Sequence, residues 1–93
     1  MQSFRFPETA IVASLEILGR IIRTKRRASS LRIDDAAALS GVSVDLLSRL
    51  ENGKSGVSTA RVLQVLDALG LTMVVVDKEK VRQLPLATDQ VEP

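Results

Sequence analysis

Apolar residues recur at helical intervals along most of the chain, and glycine and serine cut that pattern into short pieces. Ile11, Leu15, Leu18 and Ile22 follow one another at steps of three and four, the spacing of one buried helix stripe, and Ile17 and Ile21 widen it. Pro7, Glu8 and Thr9 suit the start of that helix, since proline is tolerated in a first turn and an acid complements the positive end of the helix dipole. The pattern predicts a helix from there to about Arg27, ended by the Ala-Ser-Ser at 28–30. Gly19 falls inside it, where glycine costs about 1 kcal/mol against alanine, so close packing or a break is expected at that point. Ahead of the helix, Phe4 and Phe6 alternate with Ser3 and Arg5. That fits a short extended arm at 1–8 packed on the body or on a second subunit, or else a loose terminus.

The chain is organised around residues 36–54, AAALSGVSVDLLSRLENGK. They read as two short helices joined by a tight turn at Gly41, Val42 and Ser43, the second stopped by Asn52 and Gly53. The first opens near Leu31, with Asp34 and Asp35 at its positive end. Ala37, opposite Leu47 and Leu50, allows the two helices to cross closely, and Gly41 supplies the positive φ that a short turn needs. Ser43 is a good N-cap for the second helix, its hydroxyl placed to accept from the Leu46 N–H. That helix is expected over 44–51, with Leu47 and Leu50 inward, Leu46 on a flank, and Val44, Asp45, Ser48 and Arg49 outward. After a linker at 55–57, Ser58 or Thr59 caps a further helix to about Leu69, and Gly70 ends it. Val62, Leu63, Val65, Leu66 and Leu69 are assigned to the core.

Residues 71–77, LTMVVVD, carry a different signal: six of the seven are apolar or β-forming, in a run too short for a buried helix. A single strand is an exposed edge. The simplest solution pairs Leu71, Met73, Val74, Val75 and Val76 with the same strand of a second copy about a twofold axis. Docking on the chain's own residues 3–6 is the alternative. Residues 78–93 are mixed in charge, lack aromatics and are expected to form a mobile tail. The organisation expected is thus an arm at 1–8, a helical unit at 9–70, a dimerisation strand at 71–77 and the tail.

Composition narrows the function. With 93 residues the chain makes one small domain, and a domain this small often gains burial by dimerising. Cysteine and histidine are absent, which removes disulfides, thiolate metal sites and the commonest general base. No pair of carboxylates marks a cleft, so neither enzyme activity, a metal nor a cofactor is expected. The net charge is only +2, but Arg20, Arg23, Lys25, Arg26, Arg27 and Arg32 fall within 17–33 with no acid among them. Such a run suits a polyanion. No stretch is apolar enough to span a membrane and no signal layout begins the chain, so a cytoplasmic location is expected.

Residues 18–71 resemble the Xre/Cro type of helix-turn-helix domain found in phage repressors and many bacterial regulators: GVS at 41–43 is followed eight residues later by ENGK at 51–54. The resemblance implies an all-α, lambda-repressor-like bundle of four to five helices whose helix at 44–51 lies in the DNA major groove. It implies a structural ion pair between Arg26 and Glu51. Val44, Asp45, Ser48 and Arg49 become the base-reading residues. Arg49 is able to form a bidentate contact with guanine O6 and N7, Val44 to pack on a thymine methyl, and Asp45 to accept from cytosine N4. Asp45 is equally suited to be a dipole partner at the helix start. Phosphate contacts fall to Arg32, Ser43, Asn52, Lys54, Thr59 and Arg61, with Arg23, Lys25 and Arg27 as further candidates. The chain departs from the family at Arg32 and Ile33, where a Ser or Thr cap and a phosphate-binding Gln are usual; Ile33 cannot donate a hydrogen bond.

The ALGL at 68–71 and the strand that follows are similar to HipB-type antitoxins of HipA/HipB toxin–antitoxin systems. In that subfamily the strand pairs across a dimer, the dimer represses its own operon, and a kinase-fold toxin is the protein partner. The function expected is therefore repression from a palindromic operator. A solitary phage-type repressor, or a protein-interaction module with DNA binding secondary, is the rival.

Overall fold

The computed structural model describes residues 9–84. Four α-helices follow one another, α1 at Leu15–Ala28, α2 at Ile33–Ser40, α3 at Val44–Glu51 and α4 at Thr59–Ala68, and a 3-10 helix at Lys78–Gln83 comes last. α1 packs on α3, while α2 packs on both α3 and α4. Leu18 and Ile22 from α1, Ala36 and Ala37 from α2, Leu47 and Leu50 from α3, and Val62, Val65, Leu66 and Leu69 around α4 form one core. Small alanines on α2 let α3 and α4 approach it together, and close-packed contacts of this kind supply most of a small domain's stability. Among the described residues, no helix is long and apolar enough to cross a membrane.

α1 starts at Leu15 and not near Thr9, because Ser14 takes the N-cap position and its hydroxyl accepts from the Ile17 N–H at 3.2 Å. Ile11 and Val12, both β-branched, are exposed, so among the described residues no element covers them to reward helix formation. The buried stripe therefore begins at Leu18, and Leu15 stays exposed. Gly19 marks the crossing with α3: a Cβ there would lie 2.5 Å from the Leu50 carbonyl oxygen and 2.6 Å from that of Glu51. The expected choice at Gly19 resolves as close packing. One turn of chain later the arrangement is reciprocated, since a Cβ on Gly53 would lie 2.8 Å from the Cα of Glu16.

All four α-helices end in the same motif, with the N–H just after a left-handed residue donating to a carbonyl five residues back: Leu31 to Arg26, Val42 to Ala37, Lys54 to Arg49 and Leu71 to Leu66. The motif calls for one left-handed residue. Gly41, Gly53 and Gly70 provide it three times, and Ser30, with φ 59°, provides it at the end of α1.

One further expectation is corrected. Leu63 is exposed, so the core face of α4 is narrower than its composition suggested. Among the described residues of the single chain, 71–77 pair with no other segment; the expected pairing needs a second copy, and the alternative partner at 3–6 lies outside the described residues. Leu71 instead closes the end of α4 and packs against the core, whereas Met73, Val74, Val75 and Val76 are exposed, Val75 at 97%. The first part of the expected tail contains the 3-10 helix at Lys78–Gln83, none of whose residues is buried. The arm at 1–8 and residues 85–93 lie outside the described residues.

Candidate nucleic-acid interface

The bounds of α3 come from its neighbours in sequence. Ser43 adopts extended geometry and its Oγ accepts from the Leu46 N–H at 3.0 Å, fixing the first turn. Leu47, Leu50 and Glu51 then face the body and are buried, which leaves Val44, Asp45 and Arg49 exposed and Ser48 half-buried on the other side.

Glu51 is held from α1. Arg26 donates from Nε and Nη2 to the two carboxylate oxygens of Glu51 at 2.6 and 3.0 Å, and from Nη1 to the Leu31 carbonyl at 2.9 Å. The hydrogen bond to Glu51 raises the Arg26 pKa above its ordinary value, against the opposing effect of burial. This fork joins the end of α1, the turn after it and the end of α3. The pair suits a structural role, as the resemblance implied.

Outside this knot, a cleft of about 360 Å³ opens between the starts of α3 and α4. It brings together Ser43, Asp45, Arg49 and Arg61, four of the residues singled out from the sequence, with Gly56, Val57 and Ser58 from the intervening loop. Two arginines against one aspartate make its walls cationic. Ser58 caps α4, accepting from the Arg61 N–H at 3.2 Å; Thr59 is the first helical residue and is exposed. Helix starts of this kind present free N–H groups and a positive dipole end to an anion.

Other candidates stand apart from the cleft. Arg32 lies at the start of α2 and pairs with Asp34 at 3.2 Å, both side chains being exposed. Such a pair contributes little and can be exchanged for another anion. Lys54 is exposed at the end of α3. The Asn52 side chain donates to the Ser48 carbonyl at 2.8 Å, so it closes its own helix. Arg23 and Arg27 are exposed on α1.

Sequence reasoning missed Gln64. Its Nε2 donates to the Ser40 carbonyl at 2.7 Å, while its Oε1 accepts from Arg61 Nη1 at 2.9 Å. The glutamine thus ties α4 to the end of α2 and orients Arg61. The only signal available was a polar residue between Val62 and Val65 on an apolar helix. Sequence reasoning also missed that Arg49 Nη2 donates to the Ser55 carbonyl at 3.0 Å, a partner that no side-chain type announces.

A short helix braced by two others, with its outer side bare and a cationic cleft beside it, defines a helix-turn-helix unit. A family model described as a helix-turn-helix domain matches residues 17–78. The chain is also 36% identical over 56 residues to an uncharacterized HTH-type transcriptional regulator of Sinorhizobium fredii, y4mF, covering 60% of this chain and 74% of that protein. The chain belongs to the helix-turn-helix domain family.

Proposed function

We propose that this chain is a DNA-binding transcription regulator that reads sequence through the outer side of α3 and represses from a palindromic operator as a homodimer. Family membership and the regulator from Sinorhizobium fredii support the DNA-binding, regulatory part. The observation that carries the rest is the division of α3, whose inner residues are spent on the core while Val44, Asp45 and Arg49 stay exposed beside the Arg49–Arg61 cleft. Arg49 selects guanine, Val44 and Asp45 contribute to base choice, and Ser43, Lys54, Thr59, Arg61 and Arg32 supply phosphate contacts. Binding of the full chain to its own upstream region and to a scrambled duplex, across a salt series, tests this. A preference for the upstream region, with log K falling linearly in log salt, is expected. Equal affinity for both duplexes at every salt removes the regulatory reading.

Dimerisation is supported by the exposed run Met73, Val74, Val75 and Val76, which in an isolated chain leaves apolar side chains in water. A dimer that reads a palindromic operator must place its two α3 helices about 34 Å apart, one turn of DNA. The same run and the likeness to HipB-type antitoxins favour a place beside a HipA-like kinase toxin in the cytoplasm. Copurification of the chain with a kinase-fold protein encoded next to it tests that place. With no such neighbour, a solitary repressor is the reading that stands.

A further inference from the structure

The loop between α3 and α4 does more than connect them. Arg49 is the third-last residue of α3 and is tied to this loop at both of its ends: its carbonyl accepts from the Lys54 N–H at 3.0 Å, and its Nη2 donates to the Ser55 carbonyl at 3.0 Å. Gly56 follows with φ 93°, a left-handed conformation that side-chain-bearing residues rarely adopt. A Cβ there would lie 3.1 Å from Arg49 Nη2, tight enough that the guanidinium would have to move by a few tenths of an ångström.

The molecule contains a second example of this device, and that example shows what it does. Arg26 stands at the matching position of α1, its carbonyl accepting from Leu31 N–H at 3.1 Å and its Nη1 donating to the Leu31 carbonyl. With one nitrogen so anchored, its Nε and Nη2 reach the two oxygens of Glu51 side by side. An anchored guanidinium loses less rotamer freedom when it meets a pair of acceptors. Among the described residues no carboxylate is paired with the anchored group of Arg49, which lines the open cleft.

We propose that the turn at Ser55 and Gly56 is a positioning element for Arg49, fixing its guanidinium so that the remaining N–H groups meet a two-acceptor edge, the O6 and N7 of guanine. This rests on the reading of α3 as the base-reading helix. Ser55 acts through its backbone carbonyl, and Gly56 acts by having no side chain. The turn touches no base, yet it sets specificity at one base position.

A double-mutant cycle tests the proposal in the full chain. The probes are duplexes selected from a randomised pool by the wild-type protein, each compared with versions altered at the guanine whose preference Arg49→Ala abolishes. Gly56→Ala is expected to lower discrimination at that base about tenfold with Arg49 present, and by less than about twofold in the Arg49→Ala background. Gly56→Asn, whose side chain tolerates positive φ, repeats the cycle with a Cβ in the same place. A thermal melt of each variant shows which are folded. Equal losses in both backgrounds, or no loss from either substitution in a folded protein, overturn the positioning role and leave Arg49 as a base reader. Unchanged discrimination at every position in Arg49→Ala overturns the base-reading role and the proposal with it.

Discussion

Arg26 and Arg49 occupy the same position in two helices, the third-last residue, and each carbonyl closes the same kind of turn. Each guanidinium also donates to a backbone carbonyl just beyond that turn. Their surroundings differ in burial and in the partner they face. Arg26 is buried and faces Glu51, whereas Arg49 is exposed and faces a cleft. A bidentate donor with an internal acceptor becomes part of the fold, because a desolvated charge must be paired where it lies. The same donor without an internal acceptor is available for an external one. The contrast separates what holds α3 in place from what α3 can do.

The sharpest way to break the comparison is to remove the internal acceptor. Glu51→Ala leaves Arg26 buried and uncompensated, and urea denaturation is expected to show a loss of about 3–5 kcal/mol. A loss under about 1 kcal/mol would mean that Arg26 swings into solvent and the pair is not a structural knot. Next in size, Gly19→Ala puts a methyl against the Leu50 and Glu51 carbonyl oxygens and pushes α1 off the end of α3. Backbone cannot yield as a side chain tip does, so a loss of about 1–3 kcal/mol or more is expected from the same measurement. The two turns can then be made alike. Ser30 takes the left-handed place that Gly53 fills after α3, so Ser30→Gly is expected to stabilise the chain by roughly 0.5–1 kcal/mol, read as a higher melting temperature.

The smallest expected effect concerns pH. Because the Arg26 pKa is raised by Glu51, the stability it contributes is complete below the ordinary arginine value and is lost only as pH rises through the raised one. The difference in unfolding free energy between the wild type and Glu51→Ala is therefore expected to stay flat from about pH 7 to about pH 11. A decline within that window would contradict the assignment of the charge-assisted bond to Arg26.

The sequence disclosed the parts of this architecture that local chemistry decides. Ser43 as a cap and Asn52 with Gly53 as a stop bound α3 at the residues observed, since capping depends on side chains within one turn. The Arg26–Glu51 pair spans 25 positions, and only the likeness to a known family pointed to it. The start of α1 was misread because Pro7, Glu8 and Thr9 look like a helix entrance and Ile11 continues the stripe. A stripe is buried only where another element covers it. Residues 71–77 follow a related rule: β-forming side chains set a preference, but a strand needs a partner, and the single chain supplies none among its described residues. Of the cleft, the outward residues of α3 were legible from helical spacing. The carbonyl of Ser55 and the link through Gln64 were not, because they depend on where the loop and α4 come to rest.

The central claim is that the two sides of α3 do separate work, and Arg49→Ala tests it most directly when stability and binding are measured on one preparation. Urea denaturation is expected to change by less than about 0.5 kcal/mol, since the residue is exposed. Binding to the preferred duplex is expected to weaken by about 1–3 kcal/mol, with a much smaller change on scrambled DNA. An Arg49→Ala protein that unfolds as readily as Glu51→Ala, or that weakens equally on both duplexes, would contradict the account.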